Sequence, residues 1–165
     1  MIHARAALRL APLLVSGFAM AMLGAHAQES DGPSCAEKMT EQLRRFSEKC
    51  VSDLVSYVAS QPNMAARVAS ETEKFYVVII RDGEGLRAET VSKFNFPFMK
   101  DDTANTLKEL GWLPPENESA NWKRHIGGDR IRTGAAAEDL TKTLMAYGLK
   151  NGQAITLTVG TEISG

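Results

Sequence analysis

His125 stands in the run NWKRHIGGDRIRTG, with Lys123, Arg124, Arg130 and Arg132 close by. An imidazole among four cations beside two glycines could hold an anion or an acidic partner: the glycines let the backbone approach and the cations neutralise charge. The same run also reads as a strand edge followed by an exposed hairpin turn with solvated charges. No Walker pattern accompanies the glycines. His125 is also the only imidazole outside the first 27 residues, because His3 and His26 both lie within them. A Ser-His-Asp arrangement would have to use it, yet nothing resembling G-x-S-x-G is present. One histidine and two cysteines, with no HExxH and no CxxC, are too few for a His/Cys metal centre. The sequence therefore gives no reason to expect a cofactor or metal, and it does not read as an enzyme.

Cys35 and Cys50 are the two cysteines. On one continuous helix, 15 residues would separate them by about 22 Å. A disulfide needs Cα atoms about 4.4–6.8 Å apart. Three readings follow: the helix breaks and they pair, they pair between subunits, or both stay as apolar thiols in a core. The carboxylates offer less. Asp101 and Asp102 stand where a helix cap is expected, and Glu89 suits a surface ion pair with Arg87 or a cross-strand residue.

The strongest binding candidates are aromatic. Phe94, Phe96 and Phe98 alternate within KFNFPFM, and Trp112 and Trp122 flank Pro114-Pro115. With Phe94, Phe96 and Phe98 on one face and Pro97 marking an open edge, these five side chains could line a groove for a partner's helix or strand. The competing reading is ordinary core packing, the commonest use of such residues.

These residues need elements to hold them. Ser34-Cys35-Ala36-Glu37 reads as a capping box. Met39, Leu43, Phe46, Cys50, Leu54 and Val58 then recur in steps of three and four, which predicts an amphipathic helix over about 35–59. Asn63 to Ser70 is read as a short second helix. Phe75 to Ile80 is an unbroken β-branched run, Asp82-Gly83-Glu84-Gly85 a turn, and Leu86 to Ser92 a second strand. A run without polar alternation predicts cover on both faces, by helices on one and by a second layer or partner subunit on the other. Helices over Asp101–Leu110 and Ala135–Tyr147 and strands over Trp122–Ile126 and Ala154–Val159 complete the pattern. TLKELGW and TLMAYGL share an ending in which a glycine takes the left-handed position and the next residue folds back on the helix.

The first 27 residues stand apart. Arg5 and Arg9 precede an apolar run from Leu10 to Leu23, and Ala25-His26-Ala27 offers a cleavage site, as in a secretory signal peptide. Fourteen mostly apolar residues are too few to span ~30 Å of hydrocarbon. The expected organisation is a cleaved leader over 1–27, a short linker over 28–33 and one domain over 34–165. The expected location is the bacterial periplasm or beyond. Removing the leader takes two arginines and no acidic residue, leaving 17 basic and 20 acidic side chains and a net charge of −3. A mildly acidic chain without a basic run is a poor match for nucleic acid.

The order YVVII…GLRAETVS (76–92), LGWLPP (from Leu110), NWKR (from Asn121) and TLMAYGL (from Thr143) resembles the TY-Jay domain, a relative of the YbjN-like group with a type III secretion chaperone-like fold. Two positions depart from its pattern: Lys93-Phe94 follow the second strand where the family has Asn, and Lys150-Asn151 stand where it often has His-Pro. The resemblance spans about half of the chain after the leader and implies a fold and a binding mode of action. The combined expectation is an α+β domain, an antiparallel sheet with helices packed on one face. Its expected function is to bind a protein or peptide in a chaperone- or adaptor-like way, with a homodimer through the sheet or the N-terminal helix also in view. The alternative is a small-ligand or envelope-stress module with a pocket near the tryptophans.

Overall fold

The computed structural model of the chain describes residues 42–161. Six strands form one antiparallel sheet: β1 (Gln42–Arg45), β2 (Ala65–Ser70), β3 (Tyr76–Asp82), β4 (Gly85–Thr90), β5 (Trp122–Ile126) and β6 (Ala154–Gly160), in the order β1-β6-β2-β3-β4-β5. Four helices join them: α1 (Glu48–Ser60), α2 (Asp101–Glu109), α3 (Gly128–Arg132) and α4 (Ala135–Ala146). The fold is α+β with an open antiparallel sheet.

One sheet face meets the helices. Val68, Val77 and Ile79 enclose the centre of the core with Val51, Leu54 and Val55 of α1 and Leu140 and Leu144 of α4. The expected hairpin forms, with Asp82 opposite Gly85. Period-2 geometry splits the apolar run of β3 between the faces. Val77 and Ile79 enter the helix side, opposite Val68 and Ala66, while Tyr76, Val78 and Ile80 lie on the other, opposite Ala69, Arg67 and Ala65. On that second face the Arg67 guanidinium covers the Tyr76 ring at 4.7 Å.

The N-terminal helix does not run as the periodicity suggests. Residues 42–45 are a strand on β6, Phe46 N–H donates to the Gln153 carbonyl at 2.8 Å, and α1 starts only at Glu48. Ser47 makes the break: it is extended, and its hydroxyl accepts from Cys50 N–H at 3.1 Å, which is N-cap geometry. Leu43 fits the helical spacing but is 66% exposed, whereas Phe46 and Cys50 are buried. The expected capping box at Ser34–Glu37 lies outside the described residues.

Asn63–Ser70 is not a helix. Its last six residues, Ala65–Ser70, are β2, at the centre of the sheet between β6 and β3. Asp101 and Asp102 are not caps either: they occupy the first turn of α2, and Lys100 precedes them without a side-chain cap bond. The two glycine endings do form. Gly111 N–H donates to the Lys108 carbonyl and Trp112 N–H to the Leu107 carbonyl; Gly148 and Leu149 repeat this on Met145 and Leu144. Both glycines have positive φ, 81° and 100°, as the Schellman ending requires.

Candidate functional site

The segment from Ser92 to Met99 links β4 to α2 and carries the three phenylalanines. It is two successive turns and not an edge strand: Phe96 N–H donates to the Ser92 carbonyl and Met99 N–H to the Phe96 carbonyl. Pro97 stands second in the latter turn, where its fixed φ is favoured. The three rings therefore do not share a face. Phe96 turns inward, with its centroid 5.8 Å from Phe75 and 6.2 Å from Tyr147, and those two rings stack at 5.3 Å. Phe94 and Phe98 turn outward, 61% and 77% exposed, with Phe98 edge-on to Phe96 at 6.0 Å.

The turns are tied down on two sides. Asn95 Nδ2 donates to Asn121 Oδ1 at 2.7 Å and to the Ser119 carbonyl at 3.3 Å. Asn121 in turn accepts from Ser92 N–H and donates to Glu89 and the Tyr76 hydroxyl. On the other side the Tyr147 hydroxyl donates to the Val91 carbonyl. Burial pushes the Tyr147 phenol well above the ordinary tyrosine range. Lys93 reaches Asp101 at 2.9 Å and holds that carboxyl below its usual range by hydrogen bond and charge. Sequence reasoning missed Asn121, Phe75 and Tyr147 as supports. Asn121 heads the NWKR motif, but nothing local marks its partners, which lie 26 to 45 residues away.

Trp112 and Trp122 belong to the core, 2% and 5% exposed. Trp112 Nε1 donates to Thr143 Oγ1 at 3.0 Å, which fixes it to α4. The expected five-residue groove is thus two exposed rings, one half-buried support and two core tryptophans.

The basic cluster is also divided. Lys123 and His125 lie on the face of the sheet away from the helices, and His125 Nδ1 is 3.9 Å from Asp82. Arg124 points the opposite way, 7% exposed, and its Nη2 donates to Asp139 Oδ2 at 2.6 Å. Arg130 donates to the same oxygen, and Arg132 pairs with Asp129. Residues 128–132 form α3 in place of the expected hairpin turn. Asp139 takes the position an external anion would need between Arg124 and Arg130. Arg124 Nη1 is buried without a hydrogen-bond partner.

Cys50 is disulfide-bonded. The sequence offers Cys35 as its partner within the chain, and Cys35 lies outside the described residues. The break at Ser47 removes the continuous helix that would have held the two apart. Between α1 and α4 runs a groove of about 670 Å³ with Ala137 and Met145 at its apolar wall and Glu48, Glu138 and Lys142 at its rim. Thr141 lines it, and its hydroxyl is buried without a partner. No group of three or more His, Cys, Asp or Glu side chains is gathered to hold a metal among the described residues. None of the described helices is long and apolar enough to cross a membrane.

No family model matches the chain, and no curated protein or solved structure matches it at a significant level.

Proposed function

We propose that the chain is an exported, non-enzymatic protein that binds another polypeptide in a chaperone- or adaptor-like way, with the Ser92–Met99 turns as its contact surface. One observation carries the reading: Phe94 and Phe98 are 61% and 77% exposed on a segment held by side-chain hydrogen bonds and an aromatic stack. Exposed aromatic rings on a pre-ordered support lose little entropy on binding, the property that distinguishes anchors in interfaces. The resemblance to the TY-Jay domain points the same way through its chaperone-like fold.

The test is crosslinking in the exporting cell, pull-down of the chain and mass spectrometry, run beside a Phe94→Ser/Phe98→Ser variant. The expected result is one enriched polypeptide that the variant loses, with an unchanged circular dichroism spectrum. Equal capture by both forms would move the contact surface elsewhere. Phe96→Asp is a different probe: Phe96 supports the loop against Phe75 and Tyr147, so it should destabilise the fold as well as binding.

A second reading places a small amphipathic ligand in the α1–α4 groove instead of near the tryptophans. The buried, unpaired Thr141 hydroxyl favours it, since a ligand acceptor would complete that group. A thermal-shift screen of amphipathic ligands tests it: a hit must disappear in Thr141→Val.

A further inference from the structure

We propose that Asn151 is a latent modification site: the residues that close β1 hold its carboxamide from cyclising onto Gly152, and the carboxamide is lost as ammonia when that end of β1 comes away. The proposal rests on one backbone turn and stands apart from the aromatic surface.

Asn151 is the only asparagine of the chain with a glycine after it; Asn63, Asn95, Asn105, Asn117 and Asn121 precede Met, Phe, Thr, Glu and Trp. Glycine has no side chain to crowd its own nitrogen, so this pair cyclises most readily. The Gly152 nitrogen gives up its proton and attacks Cγ of Asn151. A C–N bond forms, the carboxamide nitrogen takes up the proton and leaves as ammonia, and a cyclic imide remains. Water then opens the imide at either carbonyl, to aspartate or to isoaspartate. Neither step needs an oxidant or a cofactor.

In the folded chain that nitrogen is engaged. Residues 150–153 form a turn closed by Gln153 N–H on the Lys150 carbonyl at 3.0 Å, with Gly152 at φ 79° in its third position, as a type II turn requires. The carbonyl of Phe46, the residue after β1, accepts from Gly152 N–H at 2.8 Å. Phe46 N–H donates to the Gln153 carbonyl at 2.8 Å, and Arg45 Nη1 donates to the Gly152 carbonyl at 2.9 Å. Asn151 itself is exposed, and its carboxamide makes no hydrogen bond among the described residues. Water reaches the side chain; the nucleophile is what is withheld. β1 is four residues long and ends the strand order, so it belongs with the segments that open most easily. Its release frees Gly152 N–H without unfolding the helices. Isoaspartate then makes the change permanent. It routes the main chain through the side-chain methylene, so the Gly152 and Gln153 bonds to Phe46 no longer fit together.

The purified full chain would be incubated at mildly alkaline pH, folded and in urea beyond its unfolding midpoint, and mapped by peptide mass spectrometry that separates aspartate from isoaspartate. In urea Asn151 should convert first among the asparagines. In the folded chain it should convert at least about tenfold more slowly, the factor that even a shallow opening equilibrium sets. Arg45→Ala keeps the Phe46 bonds and loosens the turn. With an unchanged circular dichroism spectrum it should convert roughly two- to tenfold faster than the parent, as the loss of one ordinary hydrogen bond predicts. Should that variant unfold, deuterium exchange at Gly152 N–H in the parent asks the same question: the amide should be protected. Asn151→Gln, which would have to close a larger ring, should show no conversion at that position. Phe94→Ser/Phe98→Ser should convert at the parent's rate. Equal rates in the folded and unfolded chain, another asparagine converting ahead of Asn151 in urea, a folded Arg45→Ala that matches the parent, or a Gly152 N–H that exchanges as freely as in an unfolded chain overturns the proposal.

Discussion

Asp139 joins β5 to α3 and α4 through one carboxylate oxygen shared by Arg124 and Arg130. Two cations and one anion, with Arg124 and Asp139 each about nine-tenths buried, form a junction whose stability depends on keeping its counter-charge. Asp139→Ala should cost about 3–5 kcal/mol in urea denaturation, because it leaves the Arg124 guanidinium buried and uncompensated. Arg130→Ala should cost far less, since that side chain is half exposed and solvent screens it. Tyr147 gives a pH signature. Its phenol is raised above the ordinary value of about 10, so its contribution is complete below that pH and is lost as pH rises through the folded value. Urea midpoints should fall above about pH 10, and the fall should be smaller in Tyr147→Phe. That variant should start about 1–3 kcal/mol lower, having left the Val91 carbonyl without its donor.

At the scale of elements, Ser47 separates a strand from a helix within a stretch whose apolar spacing suits a helix throughout. Ser47→Ala should cost about 0.5–2 kcal/mol by thermal or urea unfolding, the usual value for a lost N-cap. A loss near zero would mean that α1 starts at Glu48 for tertiary reasons alone. The β3–β4 hairpin and the two glycine helix endings were legible because their causes are local: β-branched runs, a turn quartet, a glycine at the left-handed position. The strands β1 and β2 were not. AARVAS alternates weakly, and its alanines become strand residues only because β6 and β3 supply hydrogen-bond partners on both sides. For Phe94, Phe96 and Phe98 the period-2 pattern was real in the sequence, but Pro97 placed them in turns and sent the rings different ways.

For the molecule as a whole, Cys50 is disulfide-bonded close to the start of α1. A disulfide typically contributes about 2–4 kcal/mol, so reductant should lower the urea midpoint by that equivalent. Cys50→Ala should lose the sensitivity to reductant. The strand order places β6, the last described strand, between β1 and β2, so the sheet is complete only when the first and last described strands have met.

By itself the sequence determined the α+β class, the hairpin and the helix endings over 101–112 and 135–149. Each follows from periodicity or turn chemistry within about ten residues. Only the tertiary structure decided which aromatic rings are exposed, that Arg124 and His125 face opposite ways, and that residues 42–45 form an edge strand. The reason is physical. Charge pairing and strand pairing depend on neighbours 15 to 115 residues distant in the chain, such as Asp139 for Arg124 and Leu157 for Gln42, and local patterning carries no record of them.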